Sequence, residues 1–192
     1  MVDAPVPAER REAILEAATQ VFLRYGFKKT SMDDLARAAG LSRQGLYLHF
    51  ATKEALFKDA LAHVVDATRA AAHAALANHE RPLDERLVSA FEAMHGVAIG
   101  QPSAEHMNEL LETANELLGP VVDEAEQGMI GDVVRALRSG GVAAAWKEAS
   151  VSAKELAENL YATSVGLKHR VKSVAEYRER MRVAVKLVCR KP

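Results

Sequence analysis

The order of apolar and polar positions is helical almost throughout the chain. Over residues 8–25, Ile14, Ala17, Ala18, Val21 and Phe22 recur at spacings of three and four, and Gly26 follows. Such a stripe marks one buried face of a helix. Met32, Leu35, Ala36 and Ala39 repeat the pattern over a shorter run. Ser31 is placed to cap this second helix, with Asp34 three residues on, and Gly40 supplies the left-handed backbone that ends it. Leu41 fills the turn, and Ser42 caps a third helix over residues 43–49. Residues 30–50 thus predict two short helices crossing at Ala36 and Gly40, where neither residue adds bulk. This is a helix-turn-helix, a unit that lays its second helix in the DNA major groove.

After Phe50, Thr52 caps a long fourth helix over residues 53–78, with Leu56, Phe57, Ala60, Leu61, Val64 and Val65 apolar. Pro82, Gly100-Gln101-Pro102, Gly119-Pro120 and Gly140-Gly141 then punctuate helical runs near 83–99, 103–118, 121–139, 152–169 and 174–190. Ser103 and Ser152 are placed to cap two of them, and residues 140–151, with Trp146, form a short helical turn or a loop. No run of alternating β-branched residues competes. The fold class expected is all-α, with about nine helices: a three-helix unit over residues 1–52 and a larger helical bundle over 53–192. No Gly/Ser-rich linker separates them, so the fourth helix is itself the connection.

The last two runs are apolar on more than one side. On the final helix, Val174, Tyr177, Met181, Ala184, Val185 and Val188 form one stripe, while Val183 and Leu187 lie nearly opposite. Its predecessor carries a broad apolar arc that includes Leu160, Tyr161 and Ser164. A helix apolar on two sides is buried on two sides. Either it is central to one chain's core, or one stripe meets a second subunit. A twofold-symmetric DNA reader needs the second arrangement, which favours a homodimer. Leu160, Tyr161, Ser164, Tyr177, Met181, Ala184 and Val188 are the interface candidates, and which stripe meets the partner stays open.

Composition narrows the class. Hydrophobic residues make up 49% and charged residues 27%, a globular balance. No apolar segment approaches the roughly 20 residues that cross a bilayer, and the N-terminus lacks the apolar core of a signal peptide. A cytoplasmic protein with no membrane partner is expected. The net charge of −1 does not advertise nucleic-acid binding, but its distribution does. Residues 24–53 hold Arg24, Lys28, Lys29, Arg37, Arg43 and Lys53 against Asp33 and Asp34, a local net of +4 that leaves −5 for the remainder.

Catalytic and metal chemistry find no support. Cys189 is the only cysteine, which excludes an internal disulfide and a cysteine-rich zinc site. Glu92-x-x-His95 has the spacing of half a di-iron bundle site, but no second Glu-x-x-His occurs among the seven histidines. Glycine-rich phosphate loops, nucleophile elbows and HExxH are absent. No enzyme activity, cofactor or metal is expected.

Several spaced positions agree with one family at once: Tyr25-Gly26-Phe27, Thr30, Leu35-Ala36, Ala39-Gly40-Leu41-Ser42, Leu46-Tyr47, His49-Phe50 and Lys53-Glu54-Ala55-Leu56. Over residues 10–60 the chain resembles the TetR-type family of bacterial transcription regulators. The resemblance implies that Thr30, Tyr47, His49 and Lys53 contact phosphates, with Lys29 in the loop beside them. It also implies that Arg43, Gln44 and Gly45 face base edges. Independently, Arg can bridge guanine O6 and N7, and Gln can pair with adenine N6 and N7. Many relatives carry glycine where Gln44 stands and a small hydroxyl or alanine where Gly45 stands, so no operator sequence transfers.

The resemblance further implies a homodimeric repressor. It would leave a pseudo-palindromic double-stranded operator when a small, mainly apolar effector enters the C-terminal domain. Phe91, Met94, His95, Met107, Leu111 and Tyr161 are the residues expected to line that pocket. Two other readings use the same residues: a DNA-binding architectural protein without an effector, and a helical-bundle enzyme.

Overall fold

The computed structural model describes residues 8–96, 99 and 104–190, apart from the side chains of residues 8, 104–108 and 122. Among these residues the chain is helical without strands. Ten helices follow in order: α1 (Ala8–Tyr25), α2 (Met32–Ala38), α3 (Arg43–Tyr47), α4 (Lys53–Ala77), α5 (Leu83–His95), α6 (Ala104–Leu118), α7 (Val121–Ser139), α8 (Val142–Ala145), α9 (Ala153–Lys168) and α10 (Val174–Cys189). The expected number was about nine; the tenth is α8, a single turn in the segment read as turn or loop. It is held in place where Trp146 Nε1 donates to the Val188 carbonyl at 2.8 Å. No helix of the described residues is long and apolar enough to cross a membrane.

The helix boundaries follow from caps. The Ser31 hydroxyl accepts the Asp34 amide, and the Asp34 carboxylate returns to the Ser31 amide at 3.1 Å, a reciprocal pair that satisfies two otherwise orphaned N–H groups. Ser152 and Glu155 repeat it at the start of α9. Thr52 accepts the Ala55 amide at 3.1 Å and starts α4. Gly40, at φ +66°, lets Leu41 N–H reach the Ala36 carbonyl at 2.8 Å and Gly40 N–H reach Arg37 at 3.2 Å, which closes α2. The cap expected at Ser103 lies outside the described residues. Helix α5 ends at His95, short of the 83–99 run.

Two compact units emerge, and their division differs from the expected boundary at 52/53. The first comprises residues 1–66 and 101–122, the second residues 67–100 and 123–192, so α4 passes from one to the other. Helix α6 belongs to the first because its Leu110 and Ala114 join the core of Ile14, Phe22, Leu35, Leu46, Leu56 and Phe57. Phe22, Phe27 and Phe57 meet with ring centroids 5.0–5.9 Å apart. Leu46, Leu56 and Leu35 are at most 1% exposed, and truncating any one to Ala would cost about 2–5 kcal/mol.

The second unit packs α10 against α5 and α9. Its core gathers Leu87, Phe91, Val133, Leu137, Leu160, Tyr177, Met181 and Val185. Arg86, 8% exposed, turns inward and donates through Nε to the Leu76 carbonyl at 2.7 Å and through Nη2 to the same oxygen. It thereby satisfies the C-terminal end of α4.

Candidate nucleic-acid interface

Helix α3 is short and presents its first turn outward. Ser42 Oγ accepts the Gly45 amide at 3.0 Å, and a Cβ at Gly45 would stand 3.1 Å from that oxygen. Glycine therefore lets the cap close tightly while it keeps the outer surface low. Leu46, fully buried, is the keel of the helix. On the outer side Arg43 Nη1 donates to Asp33 Oδ2 at 3.1 Å and Nη2 approaches the Tyr47 hydroxyl at 3.5 Å, with the guanidinium 5.6 Å from the Tyr47 ring centroid. These partners raise the Arg43 pKa, the tyrosine first and Asp33 next. The pair is exposed on both sides, so water screens it and it can be exchanged for a base edge with little loss. Gln44 is exposed and makes no side-chain hydrogen bond among the described residues. Tyr47 is 41% exposed and His49 half-buried.

Two residues expected at phosphates are engaged within the fold. Thr30 is 3% exposed and its hydroxyl donates to the Gly26 carbonyl at 2.6 Å, so its single proton is committed inside the fold. Lys53 points back into the same loop: Nζ donates to the carbonyls of Phe27 at 2.9 Å and Thr30 at 3.0 Å, 4.3 Å from the Phe27 ring centroid. It pins the loop between α1 and α2, with one ammonium proton left over. Lys29 remains an exposed cation in that loop.

Three residues were not reached by sequence reasoning. Asp33 orients Arg43, and its signal was an acid and a base each opening one of two neighbouring helices. Leu48, beside Tyr47, is 76% exposed and adds an apolar side chain to the outer surface of this turn. Glu109 of α6 accepts the Lys28 amide at 2.6 Å and so braces the loop before α2. Nothing in the sequence pointed across 81 residues to that contact.

In the second unit the expected sites are redistributed. Leu160, Ser164, Tyr177 and Met181 are 0% exposed and Val188 8%, because the stripe they form packs on α5 and within the α9–α10 pair. They are this chain's own core, which corrects the expectation that they meet a partner; Tyr161 and Ala184 are half-buried. The opposite stripe is open, with Val183 60% and Leu187 65% exposed.

The pocket candidates do not come together as a set. Phe91 and His95 are buried, Met94 and Tyr161 pack at the core's edge, and Leu111 lies exposed on α6 in the first unit, since α6 turns Leu110 and Ala114 inward. The Met107 side chain lies outside those described. A recess of about 700 Å³ in this unit runs between α5 and α10 instead, past Val88, Ser89, Val174 and the Arg178–Glu92 pair. His95 forms a polar knot in the core. Its Nε2 lies 3.0 Å from Ser164 Oγ, whose own proton goes to the Tyr161 carbonyl at 2.6 Å. The Tyr177 hydroxyl lies between that oxygen and the Phe91 carbonyl at 3.5 Å. Burial, then Glu126 and Asp123, pushes the Tyr161 phenol up to about 12.

A capped helix-turn-helix with an exposed Arg–Gln turn, followed by a helical second unit, defines the class: a DNA-binding regulator of the helix-turn-helix type. The family model of bacterial regulatory proteins, tetR family, matches residues 14–60. The HTH-type transcriptional repressor BepR of Brucella suis is 30% identical over 151 residues, covering 72% of this chain and 71% of BepR. The HTH-type transcriptional regulator YfiR of Bacillus subtilis is 46% identical over 50 residues, but that match spans only 26% of this chain and 24% of YfiR. In fold, the crystal structure of reduced NemR from Escherichia coli superposes with a TM-score of 0.71 at 21% identity, over 96% of this chain and 98% of NemR. The chain belongs to the tetR family of bacterial regulatory proteins and is a transcription regulator, not an enzyme.

Proposed function

We propose that the protein is a homodimeric repressor that reads a pseudo-palindromic operator and releases it when a small effector binds the second unit. The observation that carries the DNA reading is the outer turn of α3. Arg43 and Gln44 stand on it exposed, with a guanidinium held only by screened contacts and an amide with no partner among the described residues. Arg43 and Gln44 read base edges there, while Tyr47, His49 and Lys29 face backbone phosphates. Two such heads reach adjacent major grooves about 34–36 Å apart, or a multiple of that.

The open Val183–Leu187 stripe supports a dimer formed through the outer side of α10, since apolar side chains this exposed on a folded helix favour cover by a partner. The recess between α5 and α10, past Val88, Ser89 and Val174, supports a site for a small effector in the second unit. Release then follows from a difference in the effector's affinity for two states of the dimer.

Selecting bound fragments from a genomic library identifies the operator. On that operator Gln44→Ala should relax the preference at one base pair per half-site, and Tyr47→Ala should weaken all sequences alike. An unchanged base preference in Gln44→Ala would refute the assignment of α3. Operator affinity that no library of small molecules alters would favour the effector-free architectural reading.

A further inference from the structure

A recess of about 610 Å³ lies between α1 and α2 in the first unit. Its lining carries three cations, Arg24, Lys29 and Arg37, with Gln20 and Tyr25 beside them, against one carboxylate, Asp34. The net of its charged groups is therefore positive. Asp34 accepts the Ser31 amide at 3.1 Å and the Ser31 hydroxyl at 2.5 Å, which with the nearby Arg37 keeps it charged and leaves Arg24 and Lys29 as the excess cations. Gln20 and Arg24 are one helical turn apart and so share an edge of the recess. The Arg24 guanidinium stands 5.2 Å from the Tyr25 ring centroid, which gathers a cation and a phenol at one spot, and Tyr25 is 46% exposed.

The recess and the reading head share helix α2. Asp34 lines it, and the neighbouring Asp33 accepts from Arg43 on α3. Both belong to the first turn of α2, and in helix-turn-helix proteins this helix crosses the sugar–phosphate backbone.

We propose that the α1–α2 recess is a binding site for DNA backbone phosphates, with Arg24, Lys29 and Arg37 as its cations and Gln20 and Tyr25 as neutral donors. The proposal rests on the DNA-binding reading above and extends the phosphate contact already given to Lys29 to Arg24, Arg37, Gln20 and Tyr25. Guanidinium forks pair with phosphate oxygens in two parallel hydrogen bonds, and Gln amides and Tyr hydroxyls commonly serve the backbone. The site carries no sequence information. It positions the duplex and adds a salt-sensitive share of the affinity.

The test is the salt dependence of binding to the selected operator and to a random duplex of equal length. Wild type is compared with R24Q, R37Q and R24K, whose unfolding curves are recorded to establish that each is folded. R24Q and R37Q should each lower the slope of log affinity against log salt by about 0.9 for every phosphate contact removed. They should do so equally on both duplexes and leave the ranking of mutant operators unchanged, while R24K should keep the slope. Unchanged slopes in both glutamine variants, in a protein that still binds its operator, would overturn the recess as a phosphate site and leave the reading head standing. Calorimetric binding of inorganic phosphate that R24Q abolishes, with the DNA slopes unchanged, would assign the recess to a free anion and equally overturn the proposal. Wild type that binds no duplex would instead overturn the DNA reading itself.

Discussion

The imidazole of His95 offers a measurement of how the second unit tolerates a polar group in its core. The ring is 5% exposed, and because Ser164 gives its own proton to the Tyr161 carbonyl, its oxygen accepts from Nε2–H. The ring is thus neutral with the proton on Nε2. Burial, reinforced by the Lys168 ammonium and then by His169, pushes its pKa from 6.5 down to about 3. The unfolded chain therefore takes up a proton below about 6.5, whereas the folded chain does so only near 3. Stability is unaffected by this residue well above pH 6.5 and falls as the pH drops through that window. At pH 5 the gap from 6.5 amounts to about 2 kcal/mol, at 1.36 kcal/mol for each pH unit. His95→Gln keeps a donor for Ser164 but does not titrate. Urea denaturation at pH 7, 6 and 5, at one protein concentration, should show wild type losing about 2 kcal/mol more than His95→Gln between pH 7 and 5. Parallel losses in the two proteins would refute a neutral, buried imidazole at this position.

Other substitutions probe the first unit and the outer face of α10. Lys53→Met removes two charge-assisted hydrogen bonds and the contact with Phe27, and should cost about 1.5–3 kcal/mol in denaturant unfolding. A loss of DNA affinity alone, with stability unchanged, would return Lys53 to the phosphate contacts. Gly26→Ala places a side chain at φ +79° and 2.8 Å from the Glu109 carboxylate. The backbone conformation alone should lower stability by about 1–2 kcal/mol, and an unchanged unfolding midpoint would argue against this loop geometry. Leu187→Glu should give a folded monomer by light scattering at micromolar concentration, whereas Met181→Glu, at a fully buried site, should not fold. A Leu187→Glu protein that remains dimeric would move the interface away from this stripe.

Local signals were strong in residues 30–50 because capping and turn chemistry act over three or four positions. Ser31 with Asp34, Gly40 at positive φ, and Ser42 ahead of α3 all occur where the pattern put them. The periodicity of apolar residues likewise located the long helices, since burial of a stripe leaves its mark at every turn. These are the parts of the protein that its sequence determined by itself: an all-helical chain with a reading head whose outer turn is Arg43-Gln44-Gly45.

Partners far apart in the chain, and the choice between two apolar faces, were settled only by tertiary packing. Both stripes of α10 read as apolar, and only contact with α5 and α9 selects the Tyr177–Met181 side as core and leaves Val183 and Leu187 outside. Thr30 and Lys53 carry the right chemistry for phosphate, yet the fold turns the Thr30 proton and two of the three Lys53 protons to the carbonyls of the α1–α2 loop. Helix α6 follows the second unit's first helices in sequence but packs with the first, through Glu109, Leu110 and Ala114. Periodicity reports that a face is buried; which surface buries it depends on shape and hydrogen-bond geometry across the fold, and that information has no local spacing in the chain.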